Sequence, residues 1–435
     1  AQNEKSFFIL CSFVVIINIM RIIADLHIHS PYARAVSQAM TLENLDIWAK
    51  LKGITVMGTG DFTHPQWMKE IKSQLEPAES GLYVLKKKSR GTRFLLTVEI
   101  SSIYSKGGKT RRIHNLIFAP SIETAEKISK TLGWHGNIKS DGRPILGLDA
   151  KELAKIVFDI DKRCMLVPAH AWTPWFSVFG SMSGFDSLEE CFEEYAPYIH
   201  AIETGLSSDP EMNWRVSQLD RVALISNSDS HSLQKIGREA NVLDCPLSYD
   251  GIMDAIKSHD LKRFLFTVEF YPEEGKYHYD GHRTCEFSCA PEKTKQLKSF
   301  CPNCGKKMTI GVMNRINVLA DRPVGGKPNN AIPFKRMVPL DEIIAESFGV
   351  GTASKKVKNA YHDLTSAMGT EFGILIDISL SDLALATTSE IVEGIKRVRE
   401  GNLHIEPGYD GEYGVVKIFK PGERIGKTAQ VNLFG

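Results

Sequence analysis

Arg21-Ile22-Ile23-Ala24-Asp25-Leu26-His27-Ile28-His29 decides the fold. Its first half is apolar and partly β-branched, which reads as a buried parallel strand. The His-x-His that follows spaces two imidazoles at i and i+2, so an extended chain points both to one side. A counterpart lies some two hundred residues on, where Val222-Ala223-Leu224-Ile225 leads into Asp229-Ser230-His231. Two strand ends that each deliver a pair of metal-ligand side chains imply one metal cluster at the mouth of a barrel or open sheet.

The chain between these ends alternates. Strand-like runs at Thr55–Gly58, Arg93–Val98, Asn115–Phe118, Met165–Pro168 and Ala201–Glu203 are separated by amphipathic stretches at Leu42–Lys52, Ile122–Leu132 and Asp149–Phe158. Such alternation predicts β/α units around a parallel sheet, closed as a barrel over residues 20–270. Further ligand types stand at the predicted strand ends: Asp61, Glu99, His114 and His170. With His27, His29, Asp229 and His231 they make eight, more than one ion takes, and imply two or three ions. Divalent ions so clustered generate hydroxide at neutral pH and clamp a phosphoryl group, so no protein nucleophile is required. Asp25 reads as a partner that orients an imidazole, and His64 as a ligand, a substrate contact or a helix cap.

The ligand pattern resembles that of the polymerase-and-histidinol-phosphatase (PHP) superfamily. That resemblance implies a distorted (β/α)7 barrel, three metal ions and phosphoester hydrolysis. Two departures are visible: Gly60-Asp61-Phe62 lacks the histidine many members carry there, and Pro31–Ala35 supplies no aspartate. The stretches Gly58–Pro65, Gly136–Leu146, Pro168–Trp175 and Glu203–Pro210 are similar to the endonuclease Q family, as is the order of barrel, four-cysteine module and helical tail. This second resemblance covers Met20 to the C-terminus. It implies a DNA repair endonuclease that cuts 5′ to deoxyinosine, deoxyuridine or an abasic site. It further implies zinc in the barrel, exchangeable for manganese or magnesium in catalysis. Damaged DNA is the partner it implies, and a replication or repair clamp is admitted as a second. A small-molecule or nucleotide phosphoesterase and a noncatalytic DNA-binding protein are the rival readings.

Cys285-x3-Cys289 and Cys301-Pro-Asn-Cys304-Gly305 have zinc-ligand spacing. Four thiolates leave no open position, so the module at 271–311 is expected to hold one structural zinc. Lys306 and Lys307 adjoin it. Residues 312–435 are expected to be a basic, mostly helical DNA-binding domain, with 316–334 irregular. Within it, Phe348-Gly-Val-Gly-Thr-Ala-Ser-Lys355-Lys356-Val-Lys358 resembles a helix–hairpin–helix turn that offers amides and lysines to a phosphate; an ordinary glycine cap between two helices is the plainer alternative. Trp172 and Trp175, just after His170, are candidates to receive an everted base or simply to pack.

Composition agrees with a two-part chain. Of 435 residues, 43% are hydrophobic and 24% charged, ordinary values for a soluble protein. The net charge of +1 hides an asymmetry: Lys293–Lys358 holds 13 Lys/Arg against 4 Asp/Glu, so the rest carries about −8. A basic segment beside an acidic metal domain suits a polyanionic partner. The four scattered cysteines read as buried thiols in a reducing, cytoplasmic setting, and a monomer without membrane contact is expected. Phe7–Met20 is apolar but short for a bilayer. Met20 reads as the natural start, with residues 1–19 an upstream or artificial extension and a signal segment the alternative.

Overall fold

The computed structural model describes residues 21–86, 88, 91–420 and 423. The expectation for residues 1–19 lies outside them. Seven strands form a ring: β1 (Arg21–Asp25), β2 (Val56–Gly58), β3 (Arg93–Lys106), β4 (Lys109–Ala119), β5 (Met165–Pro168), β6 (Ala201–Glu203) and β7 (Ala223–Ile225). β1, β2 and β3 pair in parallel, with Ala24 opposite Val56 and Val56 opposite Arg93. β6 and β7 also pair in parallel. The ring closes through segments just past the strand ends. The Ala171 amide donates to Glu203 O at 2.9 Å, and the His29 amide to Ser230 O at 3.0 Å. Closure therefore happens beside His29, His170 and Asp229, three of the expected ligand residues.

Not every strand follows the expected direction. β4 runs antiparallel to both β3 and β5. The cause is local: Gly107 and Gly108 both adopt left-handed φ (61° and 72°), the signature of a two-residue hairpin, so no helix intervenes. After β7 the chain doubles back as β8 (Ala240–Asp244), antiparallel to β1, and β9 (Phe264–Glu269), antiparallel to β8. The segment expected to be irregular, 316–334, is entered by the helix Val312–Leu319, and at its end Phe334–Arg336 adds a parallel strand to β9, with Thr267 opposite Phe334.

The helices have plain sequence causes. Ala150–Ile160 begins at Asp149, whose carboxylate accepts the Lys151 amide at 2.8 Å, and it buries Ala150, Leu153, Ala154 and Val157. That i, i+3, i+4, i+7 stripe packs against the strands. Leu42–Lys52 and Ile122–Leu132 start likewise at Thr41 and Ser121. The cysteine module is a hairpin, Asp280–His282 with Phe287–Cys289, followed by the Cys301–Gly305 turn. Beyond it, helices Leu340–Phe348, Lys355–Met368 and Ser389–Glu400 precede a small hairpin, His404–Glu406 with Val415–Lys417. Among the described residues, no helix is long and apolar enough to cross a membrane.

Candidate metal centre

Segments just past the ends of β1, β5 and β7, together with Glu99 inside β3 and His114 inside β4 rather than at the strand ends expected for them, bring their side chains to one spot. Three overlapping ligand groups form there: His27, His29 and Glu99; His29, Asp229 and His231; and Glu99, His114 and His170. His29 belongs to two groups, and so does Glu99. His29 Nε2 stands 3.2 Å from Asp229 Oδ1 and 3.4 Å from Glu99 Oε2, while His27 Nε2 stands 3.5 and 3.8 Å from the same atoms. On the other side Glu99 Oε1 lies 2.7 Å from His114 Nδ1 and 3.2 Å from His170 Nε2. Ligands tetrahedral about an ion at ~2.1 Å would be about 3.4 Å apart. The inward Nε2 atoms of His27 and His29 and Oδ1 of Asp229 are buried and make no hydrogen bond. Convergent but unbonded donors at that spacing fit divalent ions.

Electrostatics agree. Burial disfavours charged imidazole, yet Glu203 and Asp229 beside His27, and Asp61 beside His29, hold both pKa values well above the ordinary range. Burial would raise the Glu99 carboxyl, but His114 and Arg143 hold it well below its ordinary range. His114 itself is pushed down to about 4, chiefly by burial. The carboxylates of the spot create a demand for positive charge that cations satisfy.

Behind the inward atoms stands an orienting layer. His27 Nδ1 contacts Glu203 at 3.0 and 3.1 Å, and Glu203 also accepts the His170 amide (2.9 Å) and the Asn227 amide side chain (2.9 Å). Asp61 occupies the matching place for His29: it meets Nδ1 at 3.0 Å and accepts the Ser30 amide and hydroxyl at 2.6 Å each. A carboxylate on Nδ1 fixes the tautomer that leaves Nε2 for a metal. Asp61, expected among the ligands, thus stands behind one of them and outside the three groups. Asp61, His170 and Asp229 all have left-handed φ (50°, 31°, 45°), a conformation uncommon for residues other than glycine. Gly205 is packed so closely that a Cβ there would lie 2.5 Å from His170 Cβ.

Other expected site residues fall elsewhere. Asp25 orients no imidazole; it accepts the Ser228 and Gly237 amides at 3.1 and 2.8 Å and so braces the loop that carries Asp229. His64 stacks on Tyr32 with 4.5 Å between centroids and meets Lys139 O at 3.1 Å. Trp172 is only 1% exposed, bonded to Asn213 Oδ1 at 2.7 Å and packed on Phe179, so it has no face for a base. Trp175 is half-buried against Tyr277. Two residues that sequence reading passed over matter: Glu203, which ends its strand just as Glu99 follows Val98, and Arg143, whose Nη1 is 3.1 Å from Glu99 Oε2.

In the cysteine module, the donor atoms of Cys285, Cys301, Cys304 and His282 lie within 4.8 Å of one another. Cys289, expected as the fourth ligand, instead faces Thr294 Oγ1 at 3.3 Å. The hairpin register explains the exchange, since it sets Cys289 opposite Asp280 and leaves His282, opposite Phe287, near the turn that holds Cys285. The His/Cys set still suits zinc, and the described cysteines form no disulfide. Lys306 and Lys307 are exposed beside it, as are Lys355, Lys356 and Lys358 at the start of their helix.

A seven-stranded barrel with histidines and carboxylates gathered near its strand ends, joined to a His/Cys module and a helical tail, has the architecture expected from the sequence, a PHP barrel with accessory parts. Comparison with known proteins narrows the class. The chain is 32% identical to the lesion-specific endonuclease Q of Pyrococcus furiosus, with TM-score 0.82 over 93% of this chain and 98% of that one. A structure of endonuclease Q with a 27-mer duplex bearing an abasic lesion at its active site gives the same identity and TM-score, over 93% and 99%. The chain belongs to the endonuclease Q family. The family model of the MJ0043 C-terminal domain matches residues 339–402. The uncharacterized protein YqxK of Bacillus subtilis is 29% identical over 91% of this chain and 99% of its own length. MJ0043 of Methanocaldococcus jannaschii is also 29% identical, but the match spans 58% of this chain and only 32% of that protein.

Proposed function

We propose that the chain is a metal-dependent DNA endonuclease that hydrolyses the phosphodiester 5′ to a deaminated or missing base, with deoxyinosine, deoxyuridine and abasic sites as substrates. The carrying observation is the trio of ligand groups that share His29 and Glu99. A relative of this family has been seen with an abasic-lesion duplex at its active site, which supports the substrate class.

Three ions would be held by the three groups, and zinc by His282, Cys285, Cys301 and Cys304. Such ions supply a nucleophile at neutral pH and offset the charge that develops on phosphoryl oxygens. The chain's own residues do the rest. Glu203 and Asp61 lock the imidazoles of His27 and His29, so the donor atoms are placed before substrate arrives. The Arg143 guanidinium points into the centre and gives a backbone phosphate a fixed positive partner. Lys355, Lys356 and Lys358, with the turn at Gly349–Ser354, would hold phosphates away from the cut.

The test uses duplexes that differ at one position: deoxyinosine, deoxyuridine, an abasic site or an ordinary base. Metal-loaded protein should nick the first three 5′ to the lesion, and a chelator should stop it. Equal cutting of the ordinary duplex, or release of terminal phosphate without nicking, would overturn the reading.

A further inference from the structure

Outside the metal centre, a groove of about 720 Å³ runs between helix Pro65–Gln74, helix Ile122–Leu132 and the loop after the latter. Its lip carries Trp134, a residue whose indole would ordinarily be covered, yet Trp134 is 74% exposed. Lys130 and Lys139, both exposed, flank it. Glu126 brings the lining its sole carboxylate, and that group is already neutralised by Lys72 at 2.6 Å. The groove therefore presents an uncovered aromatic face and unpaired positive charge. At its edge the Thr63 hydroxyl, 1% exposed, has no hydrogen-bond partner.

The loop that shapes this groove is tied to the metal centre. Lys139 O meets His64 at 3.1 Å, the Gly142 amide donates to Tyr32 O at 3.0 Å, and Arg143 follows at 3.1 Å from Glu99. A Cβ at Gly142 would come within 2.4 Å of Asp61 Oδ2, so the loop is pressed against the residue that orients His29. Lys130, Trp134, Lys139 and Arg143 follow one another along this stretch of chain, and the one carboxylate between Lys139 and Arg143, Asp141, is engaged by the Arg34 and Arg143 amides at 3.2 and 3.1 Å.

We propose that this groove binds a single strand of nucleic acid next to the cleaved phosphodiester, an unpaired base lying on the Trp134 indole and phosphates against Lys130 and Lys139. Stacking on an exposed aromatic tolerates any base, so this subsite supplies grip on an opened strand rather than sequence choice. The inference rests on the DNA-directed reading above. It assigns to the loop at 133–143 two tasks, one at the centre through Arg143 and one at the strand through Trp134.

Fluorescence anisotropy of a labelled duplex with one abasic site and a hydrolysis-resistant linkage 5′ to it, and of an undamaged single strand, tests it with the metal-loaded full chain. Trp134→Ala should weaken binding of both by roughly tenfold and leave the salt slope as it was, because stacking releases no counterions. Trp134→Phe should stay within about threefold of the natural protein. Lys130→Ala with Lys139→Ala should reduce the slope of log K against log salt on the single strand by about 1.4. Metal content and Tm should not change, since all three side chains are exposed. If the natural protein binds DNA and Trp134→Ala matches it within about twofold, the subsite is refuted and the endonuclease reading stands. If the natural protein itself binds neither DNA, the endonuclease reading fails and takes the subsite with it.

Discussion

The barrel centre and the cysteine module are two candidate metal sites built on opposite plans. The barrel draws its candidate ligands from His27 to His231; His27, His29, Glu99 and His114 are buried, while His170, Asp229 and His231 are partly open. The module draws its four donors from His282 to Cys304, and Cys304 is exposed. Its hairpin is three residues per strand, and its apolar content is small, Cys301 and Met308 being among the few buried side chains. A site assembled by an entire fold should survive the loss of its ions. A site that is most of its own core should not, because there the binding energy of the ion is folding energy.

The largest effect that sharpens this contrast is expected at His29. His29→Ala removes a donor common to two groups and should cut single-turnover cleavage on the order of a thousandfold, while the Tm of the barrel moves little. A comparable fall in Tm would mean that the ions hold the barrel together after all. The second effect reverses the pattern. Cys301→Ser should release one zinc per chain by elemental analysis and expose residues 280–310 to protease, yet leave the barrel ions in place. Simultaneous loss of both sets of ions would show that the two sites are not independent. Third, Glu203→Gln should cost about 10- to 100-fold in activity or metal affinity, as the loss of an orienting partner does; an unchanged pH profile and unchanged metal affinity would return Glu203 to a purely structural part.

A smaller test distinguishes His282 from Cys289. Competition with a chromogenic chelator should show weaker zinc retention in His282→Ala than in Cys289→Ala. The reverse order would restore the four-thiolate arrangement. The smallest effect is a pH dependence. Burial pushes the Glu269 carboxyl up from its ordinary 4.5 to about 8 against the hydrogen bonds that Thr267 and Thr204 donate to it, and burial beside Glu269 raises Glu239 as well, so the two carboxyls take up protons as a pair. A folded state that holds this proton more tightly than the unfolded chain is favoured at low pH, and that advantage is lost as pH rises from about 4.5 to about 8. Glu269→Gln should flatten the decline of Tm across that window; an unaltered slope would mean that other groups set it.

What the sequence made legible follows from how local each signal was. His27, His29, Glu99, His114, His170, Asp229 and His231 could be picked out because each ends or flanks an apolar run, and the centre gathers all seven. Helices Leu42–Lys52 and Ile122–Leu132 were legible to the residue because a cap and an amphipathic stripe coincide there. Asp61 was legible as a site residue but not as one facing the back of His29, since spacing says nothing about which side of an imidazole a carboxylate meets. The antiparallel turn of β4 was written in Gly107-Gly108, yet a preference for β/α alternation outweighed it. Trp172 and Trp175 look alike in sequence, and only packing separates the buried one from the half-buried one. His282 was invisible beside four regularly spaced cysteines, because hairpin register chose between it and Cys289.

The strand Phe334–Arg336 has a consequence for how the protein is made. It is the outermost strand of the large sheet, and Arg336 ties it to Asp209 at 2.9 Å. A ribosome has therefore released the whole ring and the cysteine module before the last strand of that sheet appears. Until then β9 presents bare amides and carbonyls along one side, an invitation to pair with another nascent chain. Truncations ending before residue 334 should consequently be prone to aggregate even with every barrel ligand present, and sequence changes in this short, remote segment should show up first as poor yield.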